Sequence, residues 1–235
     1  MDNNFLITKV ISHRGIHDNT KVYENTLESF KLAIKKDYII ELDVHLTKDN
    51  EVVVFHDYNM KRLLKKDKLI EDSTYKEINN QNIFHVPTLK EVLNLVKGKV
   101  PLLIEIKQSR KVGQLEEKVM NILENYKGEY AVQSFNVMTL YWLKKHYPNI
   151  LRGQLSYDYK HTKMNKIAGF FLKNMFFNFI TKPSFISYKY NELSEKRIKK
   201  YKKKGIKVLA WTIDNKNNFN KYKDIYDNLI CEKII

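Results

Sequence analysis

The chain has 235 residues, 43% of them hydrophobic, and a formal net charge of +15 from 42 Lys and Arg against 27 Asp and Glu. That apolar fraction excludes a disordered chain, and the length suits one large domain or two small ones. The single cysteine, Cys231, excludes an intrachain disulfide and a four-thiolate metal site.

The longest apolar stretch, residues 167–180, is interrupted by Lys173, Asn174 and Asn178. It falls short of the roughly 20 apolar residues a spanning helix needs. The first ten residues lack the basic and apolar regions of a secretory leader, so a cytoplasmic setting is expected. The basic excess favours an anionic partner (a phosphate ester, a lipid surface or nucleic acid), or it reflects lysines spread over every solvated face.

Strand-like apolar runs alternate with helical patterns. In chain order the expected elements are a strand at 7–12, a helix at 24–36 and a strand at 39–44. Next come a strand at 51–55, a helix at 88–96, a strand at 102–106 and a helix at 115–126. A strand at 130–134, a helix at 137–146, a strand at 151–155 and a helix at 166–180 follow. The chain closes with a strand at 185–187, a helix at 192–204, a strand at 207–211, a helix at 217–226 and a strand at 229–231. Thr88 and Glu91 form a capping box. Such alternation predicts a parallel sheet, and about eight units predict a (β/α)8 TIM barrel of class α/β. The strand at 51–55 follows a polar turn too short for a helix. The polar stretch from about 57 to 87 reads as an insertion after the second barrel strand, over the barrel mouth.

Glu41 and Asp43 lie two apart in a strand, so they share one face while Leu42 and Val44 take the other. Two inward carboxylates repel unless a cation sits between them, and Mg²⁺ and Ca²⁺ take oxygen ligands. Otherwise they are ordinary surface acids. Glu105 stands in an apolar strand, where Glu is rarely buried unpaired. Lys107 shares its face and suits a phosphate oxygen, or pairs with Glu105 on an edge strand. His13-Arg14-Gly15 ends the first strand, where catalytic residues of barrels collect. Arg14 offers a planar fork for phosphate, and Gly15 permits a sharp turn. His56 ends the extra strand, and His13 with His56 could supply a general acid and base. His17, His45, His85, His146 and His161 read as structural or exposed.

Asn25 reads as a helix cap, with Glu24 orienting a site residue or simply part of the cap. Gln133-Ser134-Phe135 and Trp211-Thr212 end later strands and could line the mouth; Trp211 either contacts an organic moiety or packs in the core. The run from Lys199 to Lys204 suits a helix C-terminus before Gly205, with an anionic lipid surface as the alternative. Phe170, Phe171, Met175, Phe176, Phe177 and Phe179 make a helix apolar all round, which reads as doubly buried, or else as touching lipid.

Taken in order, His13-Arg14-Gly15, Glu24-Asn25-Thr26, Glu41-Leu42-Asp43-Val44, Thr47-Lys48-Asp49 and His56-Asp57 form a specific series. With Glu105-Ile106-Lys107, Gln133-Ser134-Phe135 and Trp211-Thr212, it resembles the glycerophosphodiester phosphodiesterase family, within the phosphatidylinositol-phospholipase-C-like barrels. The resemblance spans nearly the whole chain and implies one domain over 1–235. It implies hydrolysis of glycerophosphodiesters to glycerol 3-phosphate and an alcohol, with one divalent cation, Mg²⁺ or Ca²⁺, on Glu41, Asp43 and Glu105. His13 and His56 would be the acid–base pair, with His13 the expected base. Arg14 and Lys107 would bind phosphate oxygens, and Trp211 would lie near the glycerol or its substituent. The chain departs from the family pattern at Lys36-Asp37-Tyr38, where small residues are usual, and at Asp214. It departs again at Cys231-Glu232, where Thr-Asp is usual. The expected partner is a small-molecule diester, with transient contact to an anionic membrane surface and no nucleic acid. The alternatives are a lysophospholipase D at a membrane surface and a non-catalytic barrel binding anionic lipid or nucleic acid.

Overall fold

A computed structural model describes residues 4–233. Its strands are β1 (Ile11–His13), β2 (Ile39–Leu46), β3 (Val52–Val54), β4 (Leu102–Ile106), β5 (Tyr130–Ser134), β6 (Arg152–Ser156), β7 (Phe185–Lys189), β8 (Lys207–Ile213) and β9 (Asn228–Cys231). All but β3 pair in parallel, and β1 pairs with both β2 and β9, so the sheet closes on itself. The expected (β/α)8 barrel is therefore present. β3 runs antiparallel to β2, with Val54 opposite Val44 and Val52 opposite Leu46.

The helices are α1 (Leu27–Lys35), α2 (Lys61–Leu64), α3 (Tyr75–Asn79), α4 (Leu89–Val96), α5 (Gln114–Leu123), α6 (Val137–His146), α7 (Lys166–Lys173), α8 (Asn178–Thr181), α9 (Glu195–Lys202) and α10 (Lys216–Tyr222). Thr88 caps α4 and Glu91 returns the bond, as its spacing predicts. Among the described residues, no helix is long and apolar enough to cross a membrane.

Strand parity divides the core into two layers. Leu42, Val44, Ile104 and Val132 face outward onto helix residues such as Phe30, Val92 and Val119. Ile11, Ile39, Leu103, Ala131, Leu209 and Ile230 fill the barrel interior from below. Each such buried aliphatic side chain contributes about 1.5–3 kcal/mol. Two residues further along the same strands the interior turns polar: Ile39 gives way to Glu41 and Asp43, Leu103 to Glu105 and Ala131 to Gln133. The register sets His13 opposite Glu41, Asp43 opposite Glu105 and Glu105 opposite Gln133. An apolar floor thus supports a charged ceiling.

Several elements differ from the sequence expectation. The first strand begins at Ile11, because residues Asn4–Ile7 form a 3₁₀ turn whose Phe5 and Leu6 join the interior floor. Asn228 Nδ2 donates to the carbonyls of Leu6 and Lys9, both at 2.7 Å, tying this turn to β9. Thr26, not Asn25, caps α1, its hydroxyl accepting from the Ser29 amide. The last helix ends at Tyr222 rather than 226.

The polar stretch read as an insertion carries α2, a 3₁₀ turn at Ile70–Asp72 and α3. They pack around their own cluster of Phe55, Met60, Leu64, Ile70, Ile78 and Val86. The apolar helix expected at 166–180 is broken into α7 and α8 by a turn in which Met175 has φ 54°. It is not doubly buried: Phe170 is 57% exposed and Phe179 74%, while Met175 turns into the core.

Candidate active site

Glu41, Asp43 and Glu105 come together at the polar end of the barrel. One oxygen from each lies within 4.8 Å of the others, and all three residues are buried. Lys107 Nζ bridges two of them, 2.7 Å from Asp43 Oδ1 and 2.6 Å from Glu105 Oε1. Arg14 Nε stands 3.6 Å from Asp43 Oδ2, and the Arg14 amide donates to Glu41 Oε2 at 3.1 Å. That amide is aimed by a left-handed turn, with Arg14 at φ 60° and Gly15 at φ 79°. A Cβ at Gly15 would fall 2.5 Å from Ser29 Oγ, so the turn has no room for a side chain.

Three buried carboxylates face two cations here, and Arg14 also serves Glu24, whose Oε1 accepts from its guanidinium at 2.7 Å. The consequence is split titration. Burial, then repulsion from Asp43 and Glu105, holds the Glu41 carboxyl well above the usual carboxylate range. Burial also raises Glu105, with Lys107 opposing. Burial would raise Asp43 too, but Lys107, His56 and Arg14 together hold it far below its ordinary value. Lys107 is pushed down by burial and up, more strongly, by Asp43 and Glu105, so it stays an ammonium. A surplus of inward carboxylate oxygen with a raised pKa fits a hard divalent cation.

The two histidines sit on either side of this cluster. His13 and His56 line one small pocket of about 70 Å³ together with Arg14, Glu41, Glu105 and Trp211. Burial, followed by the Arg14 charge, lowers His13 to about 4. Its Nδ1 lies 3.0 Å from Glu232 Oε2. His56 Nδ1 lies 2.7 Å from Asp57 Oδ1. Trp211 packs edge-on to Phe135 at 5.5 Å, and its buried Nε1 has no protein partner.

Supporting residues read from the sequence in another role, or in none, complete the site. Asn25, at φ 57°, donates from Nδ2 to Asp43 Oδ2 at 2.8 Å rather than capping a helix. Arg62 of α2 reaches Glu24 Oε1 at 2.6 Å and Asp57 Oδ2 at 2.7 Å, so it links the insertion to both histidine surroundings. His45, read as structural or exposed, is buried beneath the site, with Nε2 3.2 Å from the His56 carbonyl. Glu232 stands where the chain departs from the family motif, and that departure was the one signal available for it.

Carboxylates close enough together that they could hold a cation, with two imidazoles and two fixed cations beside them at a barrel mouth, suit hydrolysis of an anionic phosphate ester. Comparison with known proteins narrows the class. The sequence profile of the Glycerophosphoryl diester phosphodiesterase family matches residues 13–231. A glycerophosphodiester phosphodiesterase of Caldanaerobacter subterraneus subsp. tengcongensis is 32% identical over 233 residues, covering 91% of this chain and 89% of that protein. The crystal structure of the Thermotoga maritima glycerophosphodiester phosphodiesterase superposes with a TM-score of 0.74 at 29% identity, covering 94% and 93% of the two chains. An Oleispira antarctica phosphodiesterase, solved with the product sn-glycerol-3-phosphate, shares the fold with a TM-score of 0.80 at 22% identity, covering 97% and 93%. The chain belongs to the glycerophosphodiester phosphodiesterase family and is a phosphoric diester hydrolase.

Proposed function

We propose that the enzyme cleaves glycerophosphodiesters to glycerol 3-phosphate and an alcohol, and that it needs one divalent cation, Mg²⁺ or Ca²⁺. The observation that carries the metal requirement is the buried triad of Glu41, Asp43 and Glu105, three clustered carboxyls that face only two fixed cations, Arg14 and Lys107. When bound there, the cation supplies Lewis-acid stabilisation of charge on phosphate oxygen. The sn-glycerol-3-phosphate held by the Oleispira antarctica relative supports the substrate class.

The chain's own groups do the rest. Arg14 and Lys107 offer fixed positive charge to phosphate oxygens. His13 is neutral at neutral pH because burial disfavours its cation, which suits a base. Its Nδ1 faces a carboxylate held down to about 2 by that same contact, so Nδ1 carries the hydrogen and Nε2 keeps the lone pair. His56 is the group we assign to protonate the departing alcohol, oriented by Asp57. The unpartnered Trp211 Nε1 offers a hydrogen bond to the glycerol or its substituent. We read the chain as one domain in which the segment from 57 to 87 supports His56 from outside the barrel.

The test is glycerol 3-phosphate release from glycerophosphocholine and glycerophosphoethanolamine with Mg²⁺, with Ca²⁺ and with chelator. Wild type should be active only with a cation, and Glu41→Ala and His56→Ala should each be inactive. Undiminished release in chelator would overturn the metal requirement. No release from either diester by folded, cation-loaded protein would overturn the substrate assignment.

A further inference from the structure

Two openings meet at the catalytic groups. His13, Arg14, Glu41 and Trp211 line the small pocket, and a groove of about 1370 Å³ runs outward from its edge. His56, Glu105 and Phe135 line both, so a phosphate held at the acidic cluster lies where the two join. The small pocket is too small for both halves of a diester. With the glycerol half beside Trp211, the alcohol half departs past His56 into the groove. The polar side chains at that end of the groove are the ones the alcohol meets. Most of them are already engaged. Asp57 serves His56 and Arg62, Asn59 and Lys61 hold Asp67, and Lys107 spans Asp43 and Glu105. Tyr58, which lines the groove beside them, is held but not engaged. Its carbonyl accepts from the Ile70 amide at 2.9 Å, which ties its backbone to the insertion. Its ring stands edge-on to that of buried His45, with centroids 5.1 Å apart. The Gln108 backbone N–H faces its hydroxyl oxygen, which therefore acts as an acceptor. Among the described residues nothing accepts the hydroxyl's own hydrogen. Burial holds the phenol above its ordinary value, so that hydrogen is present at neutral pH.

We propose that the Tyr58 hydroxyl donates a hydrogen bond to the alcohol half of the diester and so determines which alcohols the enzyme prefers. This deepens the hydrolysis proposed above and rests on it. The reach is short. Gln108, whose amide holds the Tyr58 oxygen, directly follows Lys107, which faces the phosphate. The acceptor must therefore lie near the phosphate, as a hydroxyl on the carbon next to the ester carbon does. An alcohol with a methyl or an ammonium group at that place has no lone pair to offer. A tyrosine ring held on two sides keeps its hydroxyl in one place, whereas the Gln108 side chain beside it is exposed. The preference is thus for alcohols that carry a neighbouring hydroxyl over those that carry none. One neutral hydrogen bond sets its size at about 3–10-fold.

The experiment uses two diesters of glycerol 3-phosphate, the 2-hydroxyethyl and the n-propyl, which differ by a hydroxyl in place of a methyl. Their kcat/KM values are measured with Mg²⁺ or Ca²⁺ in wild type and in Tyr58→Phe, a change that keeps the ring against His45. In parallel, calorimetry follows the binding of both diesters in chelator. The hydroxyethyl-to-propyl ratio of kcat/KM should be about 3–10 times larger in wild type than in Tyr58→Phe. Binding should show the same difference. A ratio that Tyr58→Phe leaves where it was would overturn the proposal while hydrolysis stands, whether both diesters slow alike, as a purely structural tyrosine requires, or neither slows. Turnover of neither diester overturns the hydrolytic reading instead. In that case a binding preference for the hydroxyethyl diester that Tyr58→Phe removes sustains the Tyr58 contact, and the lack of such a preference overturns it as well.

Discussion

His13 Nδ1 and Glu232 Oε2 lie 3.0 Å apart, joining the end of the first strand to the residue that follows the last. The contact orients the imidazole and raises its proton affinity against the lowering effects of burial and Arg14. Glu232→Ala should therefore reduce kcat about 10–100-fold with little change in KM. The acidic limb of the kcat profile should move to lower pH, because one of the groups that raise His13 has gone. A profile unchanged in position would show that Glu232 merely packs.

Arg62 should act on the chemistry without touching the substrate. It holds Asp57, which orients His56, and it shares Glu24 with Arg14. Glu24 is pushed up by burial and more strongly down by Arg62 and Arg14, to about 2. Arg62→Ala should lower kcat by about tenfold or more, and Arg62→Lys should recover part of it, since Lys supplies charge without the planar fork. Steady-state kinetics of the pair decides the matter.

Glu41 should cost stability when no cation is present. Burial and two neighbouring carboxylates raise its carboxyl well above the usual carboxylate range in the fold, so its charge costs more there than in the unfolded chain. Glu41→Gln should raise the stability of the chelated protein by about 1–2 kcal/mol. The same substitution should abolish the rise in Tm that Mg²⁺ or Ca²⁺ gives the wild type. Thermal melts with and without chelator measure both effects.

His45 should make folding sensitive to mild acid. Burial, then Lys107, lowers it to about 4, so the fold favours the neutral ring. The unfolded chain takes up the proton near its ordinary 6.5, so this contribution is present above that pH and is lost as pH falls toward 4. By about pH 5 the loss amounts to about 2 kcal/mol. The stability advantage of wild type over His45→Gln in urea should shrink by that amount between about pH 7 and pH 5. Comparing the two proteins cancels the opposing contribution of Glu41 and Glu105.

Gly15→Ala should disturb site and fold together. The added methyl meets Ser29 at 2.5 Å from a backbone already at φ 79°. A loss of about 2–3 kcal/mol is expected, read from denaturant midpoints.

The parts of the site legible in the sequence were those written within single strands. Period two alone put Glu41 and Asp43 on one face and linked Glu105 to Lys107, and the structure brings all four together. What escaped depends on chain segments meeting from afar. Arg62 meets Glu24 across 38 residues, and Glu232 meets His13 across 219. Asn25 has the composition of a cap, yet the neighbouring Thr26 takes that place and frees its amide for Asp43. The Phe-rich segment was visible as apolar all round, but such a pattern is the same for a buried helix and an exposed one. Nothing in its sequence announces a left-handed methionine, and it is that turn at Met175 that splits it.

The pairing of β1 with β9, and the grip of Asn228 on the turn holding Leu6, have a consequence for a chain emerging from the ribosome. The first strand is made early but gains its second neighbour only when the last strand arrives. Until then the barrel has a seam, one end of the interior lacks its anchor, and His13 lacks Glu232. Closure of so long a loop comes late because its entropy must be met before the contacts exist. Product release during synthesis should therefore lag behind the appearance of helical structure, and a chain stopped short of Asn228 should be inert although every residue of the acidic cluster is already in place.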